Sequence, residues 1–355
     1  MASVTFGVCM VIMSLRSRFL RLSGRASDLL SVQSMHTQLT PRVGGIAIFV
    51  AIGMSYFLAP MSISEPYLEL ILAASLLFFV GLAEDLGYHM SPRVRMLASL
   101  GASLLVIWSL NAWLPHTGIP GLDAYVDHWL IGIPLTLVIT AGISNGFNLI
   151  DGVNGLASLT AIVAAAALSI IAELAGFEAM VHLAMMLAAG IFGFFLWNYP
   201  FGLIFLGDAG AYTIGFLLSW FGISILLHSS DVSPWAILLT MYWPVADTLL
   251  AIWRRSRRNA DISAPDRLHV HQLVMRALEI CVLGRKRRKL SNPLTTLVLM
   301  PFVVAPPIAG VLLWNQNLHA FLAVLAFGML FLSGYAVGLG LTRVYRRSHP
   351  KVGTF

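Results

Sequence analysis

The sequence predicts an all-α, polytopic membrane protein: one bundle of about eleven transmembrane helices, with a periplasmic N-terminus and a cytoplasmic C-terminus. Three observations predict it. Hydrophobic residues make up 58% of the 355 and charged residues only 11%, against about 25% charged in soluble domains. The apolar residues fall in continuous runs near the roughly 20-residue length that crosses a hydrocarbon core. The basic residues occupy only alternate segments between those runs.

The candidate spans are 3–15, 44–60, 67–83, 96–113, 129–143, 155–175, 180–197, 209–228, 234–253, 294–314 and 318–341. Their apolar runs are continuous rather than of period two, which excludes a membrane β-barrel. The first is short. It lacks a small-residue cleavage site and so does not read as a cleaved signal peptide. No internal repeat or low-complexity tract interrupts the series, so residues 1–355 read as a single domain. Cys9 and Cys281 stand far apart, with neither metal-ligand spacing nor a disulfide framework.

Eleven crossings create two alternating sets of connecting segments. One set, 16–43, 84–95, 144–154, 198–208, 254–293 and 342–355, holds all 22 Lys and Arg. The opposite set holds none, yet carries Glu65, Asp123, Asp127, Glu173, Glu178 and Asp231. Basic residues stay on the cytoplasmic side, so the first set faces the cytoplasm. The net charge of +6 is therefore a topology signal and a contact for lipid headgroups, not a nucleic-acid footprint. Segment 254–293 is too long and too Arg-rich for a plain turn, which marks it as functional.

The polar clusters lie on that same face. Glu84-Asp85 offers adjacent carboxylates for a divalent metal or proton transfer; the plain alternative is a solvated helix end. Ser144-Asn145-Gly146-Phe147-Asn148-Leu149-Ile150-Asp151-Gly152-Val153-Asn154-Gly155 combines amides that can read a base edge, a carboxylate and turn-permitting glycines. An Asn/Gly turn with a helix cap explains one or two of these residues, not their density. Asp208, after Asn198-Tyr199-Pro200 and Phe205-Leu206-Gly207, stands where the eighth helix begins; a simple cap is the alternative. Asp247, after Pro244, reads first as a carboxylate paired with a polar group of a neighbouring helix. His269-Val270-His271 puts two imidazoles on one side of an extended segment. No third or fourth ligand nearby suits zinc. With Arg267 beside them, they suit a diphosphate better. The run from Arg285 to Lys289 reads as a headgroup-facing element.

Taken together the clusters supply carboxylates for Mg²⁺, Arg and His for phosphates, and amides for a base. Those are the parts of phosphoryl transfer. In that order they bring a family to mind. The chain resembles the polyprenyl-phosphate N-acetylhexosamine-1-phosphate transferases, the WecA/MraY-like superfamily, and its helix count is similar to the WecA-type branch. Five motifs between about 36 and 276 carry the resemblance: His36 with Thr40-Pro41-Arg42-Val43-Gly44-Gly45; Glu84-Asp85; Asn148-Leu149-Ile150-Asp151-Gly152; Asn198 through Phe205 to Gly207-Asp208; and His269-Val270-His271.

The resemblance implies transfer of an N-acetylhexosamine-1-phosphate from a UDP-sugar to undecaprenyl phosphate, with release of UMP, as the first step of a cell-envelope glycan. It implies Mg²⁺, with Mn²⁺ as the alternative ion, on Asp208. Asp85 and Asp151, with Glu84, match the catalytic carboxylates. Asn148, Gly152, Asn154, Asn198 and Phe205 match the nucleotide pocket. Arg267, His269 and His271 match the diphosphate and sugar site. A homodimer occurs among relatives. Three positions depart from the usual pattern: Glu84 replaces an Asp, Asn154 replaces an Asp, and Gln272 replaces a third His. They point to a distinct subfamily and leave the sugar open. Two other functions fit less well: a catalytically silent scaffold of the same fold, and a transporter, whose polar groups would line the midplane.

Overall fold

The computed structural model describes residues 1–23, 40–257, 268–284 and 287–348. Among them there is no strand. The helices are α1 (Ala2–Ser14), α2 (Arg16–Ser23), α3 (Gly44–Ser55), α4 (Ser64–Asp85), α5 (Pro92–Leu110), α6 (Asp123–Val126), α7 (Trp129–Ile150), α8 (Leu156–Leu174), α9 (Glu178–Asn198), α10 (Gly207–His228), α11 (Pro234–Thr240), α12 (Tyr242–Arg257), α13 (Val270–Leu278), α14 (Arg288–Leu312) and α15 (Asn317–Ser348).

Among the described residues, eight helices are long and apolar enough to cross a membrane, or nine if the bent pair α11–α12 is one span; α1 and the stretch Gly44–Leu58 are shorter apolar helices. The protein is a multi-pass helical membrane protein. The apolar runs read from the sequence all fall on helices, with one correction. Segment 234–253, read as one crossing, turns by 87° between α11 and α12. Met241 leaves helical geometry at φ −113°, ψ 24°. Three residues on, Pro244 has no amide proton to carry a helical bond back across that break.

The bundle is built around α10. Buried positions make up 89% of its most apolar stretch, against 11% in α15. It packs against α3, α4, α7, α8 and α9, so it meets protein on every side, while α15 faces mostly outward. Polar side chains join the helices inside the bundle. Ser103 on α5 shares a 2.7 Å hydrogen bond with Thr140 on α7, and Ser144 donates to the Tyr212 carbonyl at 2.8 Å. Such interhelical bonds contribute about 0.6 kcal/mol each on average.

The two ends differ in chemistry. At one end Asp123 accepts from the Thr117 amide and hydroxyl, each at 2.6 Å, and Asn317 donates to the Gly118 carbonyl at 2.7 Å. That network ties connecting segments together. The other end gathers the acidic, basic and amide side chains singled out above.

Candidate active site

The site forms where the C-termini of α4 and α7 meet the N-terminus of α10. The Glu84-Asp85 motif does not lie in a free loop, and the amide-rich motif leaves its helix only at Asp151. Glu84 and Asp85 are the last turn of α4, and the amide-rich stretch from Ser144 stays helical to Ile150. Only 151–155 forms the turn there. Ser144, Gly146, Phe147 and Ile150 are buried on this last part of α7, and that packing holds the Asn and Gly residues in helix against their weak propensity.

Asp85 is 2% exposed. Its carboxylate reaches across to α10, where Oδ1 accepts from the Asp208 amide and Oδ2 from the Ala209 amide, both at 3.0 Å. A side chain from another helix thus caps two of the free amides at the start of α10. Gly207 lies before them at φ 77°, where a side chain would be strained and would meet Asp85 itself.

Asp208 is fixed from three directions. Its Oδ1 accepts from Asn148 Nδ2 and from Arg42 Nη2, each at 3.0 Å. Its Oδ2 lies 3.6 Å from Arg95 Nη1, which also bonds Glu84 at 3.0 Å. Arg42 reaches Asp85 as well, at 3.5 Å. Asp151 completes the group, near enough for the charges of Arg42 and Asp208 to act on it. Burial pushes its carboxyl up to about 7, against the lowering pull of Arg42.

A second cluster adjoins the turn at 151–155. Asp247, 1% exposed, pairs through Oδ2 with His269 Nδ1 at 2.7 Å and accepts the Val270 amide on Oδ1 at 3.2 Å. The pairing expected for Asp247 is thus with His269. The histidine motif differs from its expected extended form: His269 is extended, but Val270 opens α13. The two imidazoles nevertheless stack, 5.8 Å apart. Both ring nitrogens of His271 are buried with no hydrogen-bond partner among the described residues. Its ring lies where a Cβ on Gly152 would sit. Burial pushes the His271 pKa down to about 4, although Asp247 pulls it up, so the ring is neutral near pH 7.

Asn154 is held by its backbone. Its amide donates to Asn292 Oδ1 at 2.8 Å, and its carbonyl accepts from Thr296 at 2.6 Å. Its side-chain nitrogen bonds the Pro200 carbonyl, while Oδ1 is buried and unpartnered among the described residues. Asn198 commits its amide to backbone, accepting from Gly155 N at 2.6 Å and donating to the Ile204 carbonyl at 2.8 Å. Phe205 lies half-buried beside it, its backbone pairing with Pro41 and Gly44. Arg267 and His36 lie outside the described residues.

The sequence model of glycosyl transferase family 4 matches residues 67–226, the stretch carrying Glu84, Asp85, Asn148, Asp151 and Asp208. An undecaprenyl-phosphate alpha-N-acetylglucosaminyl 1-phosphate transferase of Salmonella typhi is 30% identical over 259 residues, 68% of this chain and 67% of its own length. The chain belongs to glycosyl transferase family 4. The Yersinia pestis enzyme of the same name is 27% identical over 332 residues, covering 88% of this chain and 86% of that protein. A probable undecaprenyl-phosphate N-acetylglucosaminyl 1-phosphate transferase of Bacillus subtilis is 28% identical over 251 residues, 70% of each.

For this glycosyl transferase, sequence reasoning left four site residues off its candidate roles. Arg42 belongs to the motif Thr40-Pro41-Arg42-Val43-Gly44-Gly45, but the motif by itself gives it no role. Arg95 looked like an ordinary basic loop residue. Asn292 and Thr296 sit four apart on α14, on one helix face, but nothing local says that this face meets the turn at Asn154.

The donor set also bears on Mg²⁺. Among the described residues no three His, Cys, Asp or Glu side chains stand together as an all-protein metal cage. Mg²⁺ rarely needs one: it commonly takes one or two carboxylates and leaves its other positions to water and substrate phosphates. Asp208, at the buried start of α10, would supply one such carboxylate.

Proposed function

We propose that this protein transfers an N-acetylhexosamine-1-phosphate from a UDP-sugar to undecaprenyl phosphate, releasing UMP, at the cytoplasmic face of a bacterial inner membrane. The observation that carries the reading is the convergence of Asp85, Asp151, Asp208, Arg42 and Asn148 at the start of a buried helix. Relatives named for this reaction support it. A soluble nucleotide can approach that end of the bundle, and a polyprenyl chain can lie along the apolar helices beside it. The one-sided distribution of Lys and Arg supports the cytoplasmic placement.

In this reading Asp208 would hold Mg²⁺, which, when bound, would offset the charge of the diphosphate. An oxygen of the lipid phosphate attacks the phosphorus that bears the sugar. The bond from that phosphorus to the bridging oxygen breaks, and UMP leaves with that oxygen. Asp151 takes the proton of the lipid phosphate where one is present. Asp85 suits that role less, because both its oxygens already accept backbone amides. Arg42 and Arg95 face the developing negative charge, as electrostatic stabilisation requires. Asn154, whose Oδ1 has no partner among the described residues, offers an acceptor to the base. His269 and His271 face the diphosphate and sugar.

The test is UMP release by the purified protein with undecaprenyl phosphate, Mg²⁺ and a panel of UDP-N-acetylhexosamines, with the lipid product weighed by mass spectrometry. UMP appearing only when lipid phosphate is present is the expected result, and it identifies the sugar. No UMP from any member of the panel overturns the reading. Exchange of UMP into UDP-sugar without lipid would instead support a covalent aspartyl-phosphate route.

A further inference from the structure

Two charged side chains of α12 grip the entry to α13. Asp247 and Arg254 are seven residues apart, two helical turns, and so share one face. Arg254 donates to the Leu268 carbonyl at 3.2 Å and to Tyr335 on α15 at 3.2 Å. Asp247 takes the next two residues, His269 through Nδ1 at 2.7 Å and Val270 through its amide at 3.2 Å. The break of 87° between α11 and α12 turns this face toward the histidine segment.

The partners of Asp247 are two donors facing two acceptors. The Val270 amide can only donate. A carboxylate can only accept, so His269 must carry its proton on Nδ1 to bond Oδ2. Nε2 is then the ring nitrogen left for a ligand, and no protein group bonds it among the described residues. The His269 ring stacks on His271, whose own ring lies against Gly152, beside Asp151.

We propose that Asp247 is a positioning residue of the transfer site: it sets the Nδ1–H tautomer of His269 and points Nε2 at an oxygen of the substrate's diphosphate or sugar. The proposal rests on the transferase reading above. It assigns to Asp247 a role separate from the Asp85, Asp151 and Asp208 cluster.

Asp247→Asn tests it with little change of shape. An Asn has one acceptor oxygen for two donors. With that oxygen on the Val270 amide, its NH₂ faces His269 Nδ1. The imidazole proton must then move to Nε2, which reverses the polarity of the atom offered to substrate.

The experiment uses the full chain in nanodiscs, labelled with ¹⁵N-histidine, and reads both the tautomer and UMP release. Expected are an Nδ1–H signal for His269 in the wild type, assigned by its loss in His269→Gln, and an Nε2–H signal in Asp247→Asn. Activity of Asp247→Asn should fall about 10- to 100-fold, the range for the orienting partner of a functional histidine. In the double variant with His269→Gln, Asp247→Asn should cost nothing further. An Nε2–H signal in the wild type, full activity in Asp247→Asn, or multiplicative losses in the double variant would each overturn the proposal. A wild type that makes no UMP overturns the transferase reading, while the spectrum still decides whether Asp247 sets the tautomer.

Discussion

Asp85 closes the helix that presents Asp208: its two carboxylate oxygens accept the amide protons of Asp208 and Ala209, each at 3.0 Å. The two aspartates thus differ in kind, although both are acidic residues at one site. Asp85→Ala should lower stability by about 1–2 kcal/mol, the upper range for losing a helix cap, and abolish transfer. Asp208→Asn should abolish transfer with little change in thermal unfolding. Parallel measurement of melting in detergent and UMP release separates the two. Equal destabilisation by both variants would contradict this division.

Arg42 spans Asp208 at 3.0 Å and Asp85 at 3.5 Å through different nitrogens of one guanidinium. A lysine ammonium is a single point charge and cannot reproduce that fork. Arg42→Lys should therefore reduce kcat/KM at least tenfold. Steady-state kinetics check it, and near-normal activity in the lysine variant would show that charge alone suffices.

Burial pushes Asp151 up to about 7, above its unfolded value near 3.9. The folded state therefore holds a proton that the unfolded state has lost across roughly pH 4 to 7, and Asp151 draws stability down as pH rises through that window. Asp151→Asn has no charge to bury. It should melt at a higher temperature than the wild type at pH 8, with the gap closing toward pH 5, while losing transfer activity. A gap that widens on acidification would have the wrong sign.

Asn292 and Thr296 hold the Asn154 amide and carbonyl at 2.8 and 2.6 Å. Removing one partner of a buried backbone group costs about 1–3 kcal/mol. Asn292→Ala should lower stability by that amount, read as a lower melting point, and raise KM for the UDP-sugar more than it lowers kcat. Isothermal binding of UMP to the variant reads the same change at equilibrium.

Much of the architecture follows from short-range properties of the chain. The apolar runs, their lengths and the segregation of Lys and Arg need no tertiary information, because the bilayer acts on each segment independently. Glu84, Asp85, Asn148, Asp151 and Asp208 also stand out, since polar groups among apolar neighbours are costly. What the chain could not disclose was which of them touch. Asp85 serves as a cap only because α4 ends beside the start of α10. Arg42 bridges two carboxylates from helices far apart in sequence. Asp247 finds His269 only because α12 leaves the line of α11. The sequence by itself determined a helical membrane protein with its reactive groups on one face. Tertiary structure alone decided the division of labour among those groups, because a buried charge takes its role from the partner that compensates it, and the packing of distant helices selects that partner.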